Sequence, residues 1–536
     1  MSHQEPSTSA DIPAHAPPKP PRTPVWSPGA RPASRMGVPH LSLDTALAAN
    51  QGVNHLSDKP IPSVERDKLD PMAVQNAGGV EYQSMKWWQA GMVMVAETIS
   101  LGILSLPQAM STVGVIPGLI LLLGLGAFAS YSGIVIGQFK LRYPHIHSME
   151  CAGKVLFGKW GARVIGTGQY LFYIFVMGSH ILTFAICMNK LTGKFVCTIV
   201  WMVIGMMLSL LCTLPRTLKN LSFYSVASFI SIIGAVMITM ISVGISKPAL
   251  QEAAAAGQEV VFRLWPKDDL AFVPGFLAVS NMVFAYAGHP AFFTFISELK
   301  DPNDFPKALA FLQVSDISMY LIATVVIYYF AGDSVASPAL NSAGETVSKV
   351  AWGVAIPTII IAGVVNGHVC VKYIYVRLLR NRKDDLLHQR TWKSRWYWIG
   401  LGCMSWFLAW LIAEVVPVFN DMLAITSALF ASWFTFGLSG MFWFHMNKPL
   451  FGRSRANNWW HPLIPRLRTR PVVDPENVSN DEVASPTWTK TKLVLIFINV
   501  LLIAMGAILC VAGLYASIKS MVSHGADRKP FTCAPL

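Results

Sequence analysis

Two stretches of an otherwise apolar chain carry residues that could do chemistry. The first, AETISLGILSLPQA (96–109), places Glu97 just ahead of Thr98, Ser100, Gly102, Ile103, Ser105 and Pro107. The second, VFAYAGHPAFF (283–293), gathers Ala285, Tyr286, Gly288, His289 and Pro290. Glycine permits non-helical dihedrals and proline removes a backbone donor, so a helix can open at either place. A half-helix beginning near Ser100–Ile103 would aim free N–H groups and a positive dipole end at an anion such as a carboxylate. Unwound carbonyls near Ala285–Gly288 would accept from an ammonium group. One zwitterion satisfies both ends, so an α-amino acid is a better expectation than a sugar. The expected substrate contacts are Thr98, Ser100, Gly102, Ile103, Ala285, Tyr286, Gly288 and His289, with Glu97 as the proton-coupling group.

Elements long enough to cross a bilayer must hold these residues. The chain has 536 residues, 53% hydrophobic and 13% charged, with mean hydropathy +0.46. Soluble domains average about 25% charged residues. From Trp87 onward, apolar runs recur at about the 20-residue length that spans a hydrocarbon core. Eleven are expected, over 88–111, 114–139, 163–188, 195–214, 221–246, 270–297, 308–331, 351–373, 396–417, 421–445 and 491–517. The fold class is therefore an all-α polytopic membrane protein. The first 85 residues are rich in proline and poor in large apolar side chains, a composition that reads as a disordered tail. Its PPKPPRTP segment (17–24) is better taken as a linker than as a polyproline ligand. The domains expected are a cytoplasmic tail (1–85), a transmembrane domain (86–518) and a short extracellular tail (519–536).

Basic residues give the orientation, because they accumulate in cytoplasmic loops. With the N-terminus inside, the inside loops hold 25 of the 42 Lys and Arg and the outside segments 9. The formal charge of +13 is then a topology signal rather than a nucleic-acid footprint. The run KYIYVRLLRNRK (372–383) reads as an ordinary inside loop. The sequons at Asn220 and Asn477 fall on the inside and should stay unmodified. No apolar segment near Met1 resembles a cleavable signal, so the first span is expected to direct insertion. The eight cysteines contain no CxxC pair, which suits neither a zinc site nor a dense disulfide framework.

Glu97 lies ten residues past Trp87, about 15 Å into the membrane at 1.5 Å per residue. An ionised carboxylate there costs about 2.5–3.5 kcal/mol and should face a cavity or a partner. Interrupted backbone at such depth is tolerated where it lines a cavity or is buried in protein. The two interruptions open the first and sixth spans, dividing ten spans into five plus five with the eleventh peripheral. Matching breaks in two halves are the pattern of a secondary-transporter site.

These residues also carry a family likeness. GMVMVAETISLGILSLPQA (91–109) followed by VGVIPG (113–118) resembles the first-span signature of the amino acid/auxin permease family. FAYAGHPAFFTFISELKDPNDFPKAL (284–309) resembles its sixth span and following loop, and HSMECAGKVLFGKWG (147–161) its loop between the second and third spans. The wording ETISLGILSLP is most similar to fungal neutral amino acid permeases. The resemblance implies eleven spans, a LeuT-type 5+5 inverted repeat plus one helix, and amino acid transport driven by H⁺ or, in some members, Na⁺. Sodium-coupled relatives often carry a neutral polar residue where this chain has Glu97, which favours the proton.

Secondary candidates have ordinary readings beside them. Asp316, about eight residues into the seventh span, is a second proton site or a paired carboxylate. Asn366 lies in the eighth span, which often completes an ion site in this fold; its ordinary role is an interhelical hydrogen bond. Tyr170 and Tyr173 wall a pocket or simply pack. Asp333, Glu414 and Asp421 lie near outer ends and should be solvated. Gly153–Lys159 fits GxxxxGK, but Trp160 stands where a phosphate loop needs Ser or Thr, so it is set aside. No enzyme motif and no metal or organic cofactor is expected. The reading is a proton-coupled importer of neutral amino acids in the plasma membrane. A membrane amino acid sensor on the same fold and a vacuolar exporter are the alternatives.

Overall fold

The computed structural model describes residues 83–193, 195–216, 218–249, 251, 260–379, 391–447, 490–524 and 531–533. The tail expected over 1–85 thus lies outside the described residues except for 83–85, as do the Asn477 sequon, the side chain of Asn220, and 380–383 of the basic run. Among the described residues the regular structure is helical, with one isolated parallel bridge, Met85–Leu299.

Eleven apolar helical segments follow in order. Span 1 is Trp87–Val113, span 2 Val115–Arg142, span 3 the long helix Met149–Thr192, span 4 Thr198–Thr213 and span 5 Leu218–Ile245. Span 6 runs over Phe272–Glu298, span 7 Phe305–Ala331, span 8 Glu345–Leu379, span 9 Trp392–Val415, span 10 Phe419–Met446 and span 11 Lys490–His524. Ten are long and apolar enough to cross a membrane; span 4, at 16 residues, is about 24 Å long and shorter than its apolar run suggests.

Span 1 is the central strut. Its apolar window is buried throughout, and it packs on spans 5, 6, 7 and 8. Span 11 leaves most of its surface exposed and lies against span 10 and the first half of span 6. Near its far end Ser520 donates to Asp421 of span 10 at 2.7 Å. A disulfide joins Cys533 to Cys197, just ahead of span 4, and Phe531 stacks edge-on against Trp410 of span 9 at 6.3 Å.

The structure departs from the sequence reading in several places. The segment 147–161, expected as a loop, is mostly helix. Ser148 accepts from the Cys151 amide as an N-cap, and the helix bends at Gly158, φ 66°, where glycine tolerates left-handed backbone. Span 10 contains an 11-residue π-helical stretch, Ser427–Gly437, which period analysis at 3.6 residues does not reveal. Glu414 and Asp421 are buried, not solvated, at 3% and 0% exposure, because packing reaches both outer ends. Asp333 does stay partly exposed, paired with Arg263 at 2.9 Å and Lys267 at 3.4 Å.

The largest departure concerns the two interruptions. Span 6 does open: its first helix ends at Phe284, turns occupy 285–288, a 3₁₀ segment covers His289–Ala291, and helix resumes at Phe292. Span 1 does not. It is one α-helix from Trp87 to Val113, with Pro107 inside it. A freed backbone group away from water costs several kcal/mol. Nothing within 96–106 removes a donor, so the helix stays wound past Ser100–Ile103. Hydroxyls follow it rather than replace it: Thr98 lies 3.0 Å from Met94 O and Ser105 donates to Gly102 O at 2.9 Å.

Candidate substrate and proton site

Span 1 and the opened part of span 6 touch through backbone. A Cβ on Gly102 would lie 2.7 Å from Ala285 Cα, and one on Gly288 would lie 2.6 Å from Thr98 Cγ2. Both glycines are therefore required by close approach rather than by dihedral freedom. The same Gly288 position is 4.0 Å from Glu97 Oε2, so the carboxylate of span 1 faces the break in span 6. Glu97 is 8% exposed, and its Oε2 has no hydrogen-bond partner among the described residues. Ser100 Oγ is also buried without one.

Span 7 completes the crossing with two side chains one turn apart. Asp316 Oδ1 lies 3.2 Å from the Thr98 hydroxyl. The Tyr320 hydroxyl sits between two carbonyls, 2.8 Å from Ala285 O and 3.1 Å from Thr98 O. It has one proton for two acceptors.

The remaining candidates are fastened into the scaffold. Tyr286 donates to Leu122 O of span 2 at 3.0 Å. Both His289 ring nitrogens lie on carbonyls, Nδ1 3.1 Å from Tyr286 O and Nε2 2.9 Å from Ala129 O, so this histidine ties the break to span 2. Asn366 donates to Ala362 O of its own helix at 3.1 Å, leaving its Oδ1 buried and unpartnered. Tyr170 turns to Ser405 of span 9 at 3.3 Å, whereas Tyr173 is fully buried. Ile103 is buried in the core of span 1. The N–H groups of Ser100–Ile103, expected to be free for a carboxylate, belong to a continuous helix in this conformation.

Sequence reasoning missed two groups. Gln169 of span 3, fully buried, donates to Pro290 O at 3.1 Å and leaves its Oε1 without a partner; an uncharged amide inside an apolar run was its only signal. At the end of span 6, Glu298 forms a buried ion pair with Lys372 of span 8. Its carbonyl accepts from the Ser84 and Met85 amides at 3.1 and 3.0 Å, and the Lys300 amide donates to Met85 O at 2.8 Å. Residues 84–85, span 6 and span 8 are thereby tied at one point. Lys372 had been read only as part of a basic loop.

Comparison with known proteins bears on this geometry. The sequence profile described as "transmembrane amino acid transporter protein" matches residues 83–465. The N amino acid transport system protein of Neurospora crassa is 34% identical over 473 residues, 87% of this chain and 92% of that protein. A transmembrane transporter of Fusarium pseudograminearum is 28% identical, over 72% of this chain and 80% of the relative. Among solved structures, MhsT in complex with L-phenylalanine aligns with TM-score 0.49 at 12% identity, covering 83% of this chain and 100% of that one. Mhp1, a nucleobase-cation-symport-1 family transporter, aligns with TM-score 0.44 at 13% identity, over 84% and 95%. On the extent of the profile match and the identity to the Neurospora crassa protein, the chain belongs to the transmembrane amino acid transporter family.

Proposed function

We propose that this chain imports neutral amino acids together with a proton, by alternating access at the crossing of spans 1 and 6. The observation that carries the reading is Glu97, a buried carboxylate with an unpartnered oxygen facing the only broken backbone among the described spans' middles. A carboxyl removed from water takes up a proton readily, and neutralising Glu97 lets the crossing close without an unpaired charge.

The substrate zwitterion would lie between Thr98, Ser100, Gly102 and Ile103 on one side and Ala285, Tyr286, Gly288 and His289 on the other. Its ammonium would take the Ala285 carbonyl, displacing the Tyr320 hydroxyl. Its carboxylate needs donors, and those of Ser100–Ile103 become available only if span 1 unwinds, so we place that opening in the binding step. Asn366 is held as a supporting polar group. Among the described residues Glu97 is the charged side chain facing the break, which suits neutral side chains.

The orientation proposed is N-terminus in the cytoplasm and C-terminus outside, in the plasma membrane, with a cytoplasmic tail over 1–85 and an extracellular one from 519. The Cys197–Cys533 disulfide supports it, because both cysteines fall on the expected outer side and disulfides persist in oxidising compartments.

Uptake of labelled amino acids into proteoliposomes under an imposed pH gradient tests the reading. Protonation of Glu97 promotes loading, so uptake should rise as the outside pH falls and decline as it rises. In Glu97→Gln that dependence should flatten. Uptake that ignored ΔpH and followed a sodium gradient would falsify proton coupling, leaving the amino acid assignment standing.

A further inference from the structure

We propose that Asp316 holds a proton in this conformation and is a second proton-binding residue of the transport site, read by the Thr98 hydroxyl. The inference rests on the proton-symport reading above and extends it from one carboxyl to two.

The argument is a count of hydrogens. Thr98 Oγ1 has three oxygens around it: Met94 O at 3.0 Å, Val95 O at 3.5 Å and Asp316 Oδ1 at 3.2 Å. The two backbone carbonyls can only accept, and the hydroxyl has one proton. With Asp316 ionised, all three neighbours are acceptors and must share the one hydroxyl proton. With Asp316 protonated, its O–H donates to Thr98 Oγ1 and the Thr98 O–H donates to Met94 O. The neutral acid thus gives each of the two short contacts a proton of its own.

The surroundings agree. Asp316 is 1% exposed and has no salt-bridge partner among the described residues. The titratable groups around it are Glu97 of span 1, Tyr286 and His289 of the span 6 break, and Tyr320 of its own helix. His289 is already committed to two carbonyls. Span 2 packs against this face, Gly126 lying where a Cβ would be 2.9 Å from Ile317, and carries no titratable side chain over 122–130. Among its described side chains span 5 offers only Tyr224, which is exposed. Glu97 directly precedes Thr98, whose hydroxyl contacts Asp316, so two carboxyls share one crossing, and neighbouring like charges disfavour ionising both.

The consequence is mechanical. Thr98 belongs to span 1, and its backbone carbonyl is held by Tyr320, one turn from Asp316. When Asp316 gives up its proton, its bond to Thr98 becomes a competition for the single hydroxyl proton. Span 7 then loosens its hold on the part of span 1 that faces the break. The proton leaves as H⁺ to water on the releasing side, and the carboxylate oxygen that held it is the one that is reloaded.

Asp316→Asn is the informative substitution, because its amide can donate to Thr98 Oγ1 but never releases a proton. In proteoliposomes, ΔpH-driven accumulation should be lost while exchange of labelled for unlabelled amino acid continues. By infrared difference spectroscopy, a protonated-carboxyl C=O band present in the unsubstituted protein should vanish in Asp316→Asn and persist in Glu97→Gln. Thr98→Val, which leaves Asp316 in place, should shift that band, so the assignment stands even if Asp316→Asn fails to fold. Full ΔpH-driven accumulation in Asp316→Asn, or loss of the band in Glu97→Gln alone, overturns the proposal. Absence of ΔpH-driven accumulation in the unsubstituted protein overturns the symport reading and this role together, and is thereby told apart from failure at Asp316.

Discussion

Spans 1 and 6 carry similar vocabularies, small residues and a proline beside a titratable group, yet one is wound and the other open. The difference lies in what surrounds the lost donor. In span 6, Pro290 lacks the N–H that would reach Tyr286 O four residues back, and His289 Nδ1 lies on that carbonyl at 3.1 Å instead. In span 1, Gly102 and Pro107 are five residues apart, and the intervening turn keeps its hydrogen bonds. Tertiary contact reinforces the contrast. The open segment is held from outside by Gln169 on Pro290 O, Tyr320 on Ala285 O and His289 against span 2. Span 1 needs no such support. The wound span and the opened span meet at two glycines, Gly102 and Gly288.

Substitutions at three places would break or sharpen that contrast. The largest effect is expected at the far anchor of span 6. Lys372→Met removes the ammonium paired with the buried Glu298 carboxylate, which should destabilise the fold by about 3–5 kcal/mol, measured by thermal or chemical unfolding in detergent. Adding Glu298→Leu should recover most of that loss; if it does not, the pair serves more than charge balance. Next come the hinge glycines. Gly102→Ala drives a Cβ into Ala285 backbone and should cost about 1–3 kcal/mol with loss of transport. Gly288→Ala meets the Thr98 methyl rather than backbone, so a side-chain shift that gives up the Thr98–Asp316 contact can relieve it, and it should cost less on the same assay. Equal penalties would mean the two sides of the crossing are equally rigid. The smallest effect is expected for Tyr320→Phe. It removes a hydrogen bond with a net worth of about 0.5–1.5 kcal/mol but frees the Ala285 carbonyl. KM for amino acids should fall while fold stability drops slightly; a raised KM would place the substrate ammonium elsewhere.

Much of the architecture was readable in the chain because a bilayer forces it. Runs of apolar residues at spanning length mark ten of the long helices, and the helix Met149–Thr192 hid only its N-terminal extension, whose cap at Ser148 is a local signal. The break in span 6 was readable because Pro290 acts locally. The π stretch of span 10 was not, because no residue over Ser427–Gly437 specifies a wider turn, and packing against span 11 accompanies it. Neither Gln169 nor the Glu298–Lys372 pair was legible as part of the site: their partners lie 121 and 74 residues away.

The sequence by itself determined that this protein crosses a membrane many times, that Glu97 lies ten residues into the first span, and that span 6 opens. Each of those follows from the transfer energy of side chains or from the backbone chemistry of one or two residues. Tertiary structure alone decided that span 1 stays wound, that Glu97 faces Gly288, and that Asp316 and Tyr320 grip Thr98. Those outcomes depend on which helix faces reach contact distance, and hydrogen bonds between spans act only after packing has brought them there.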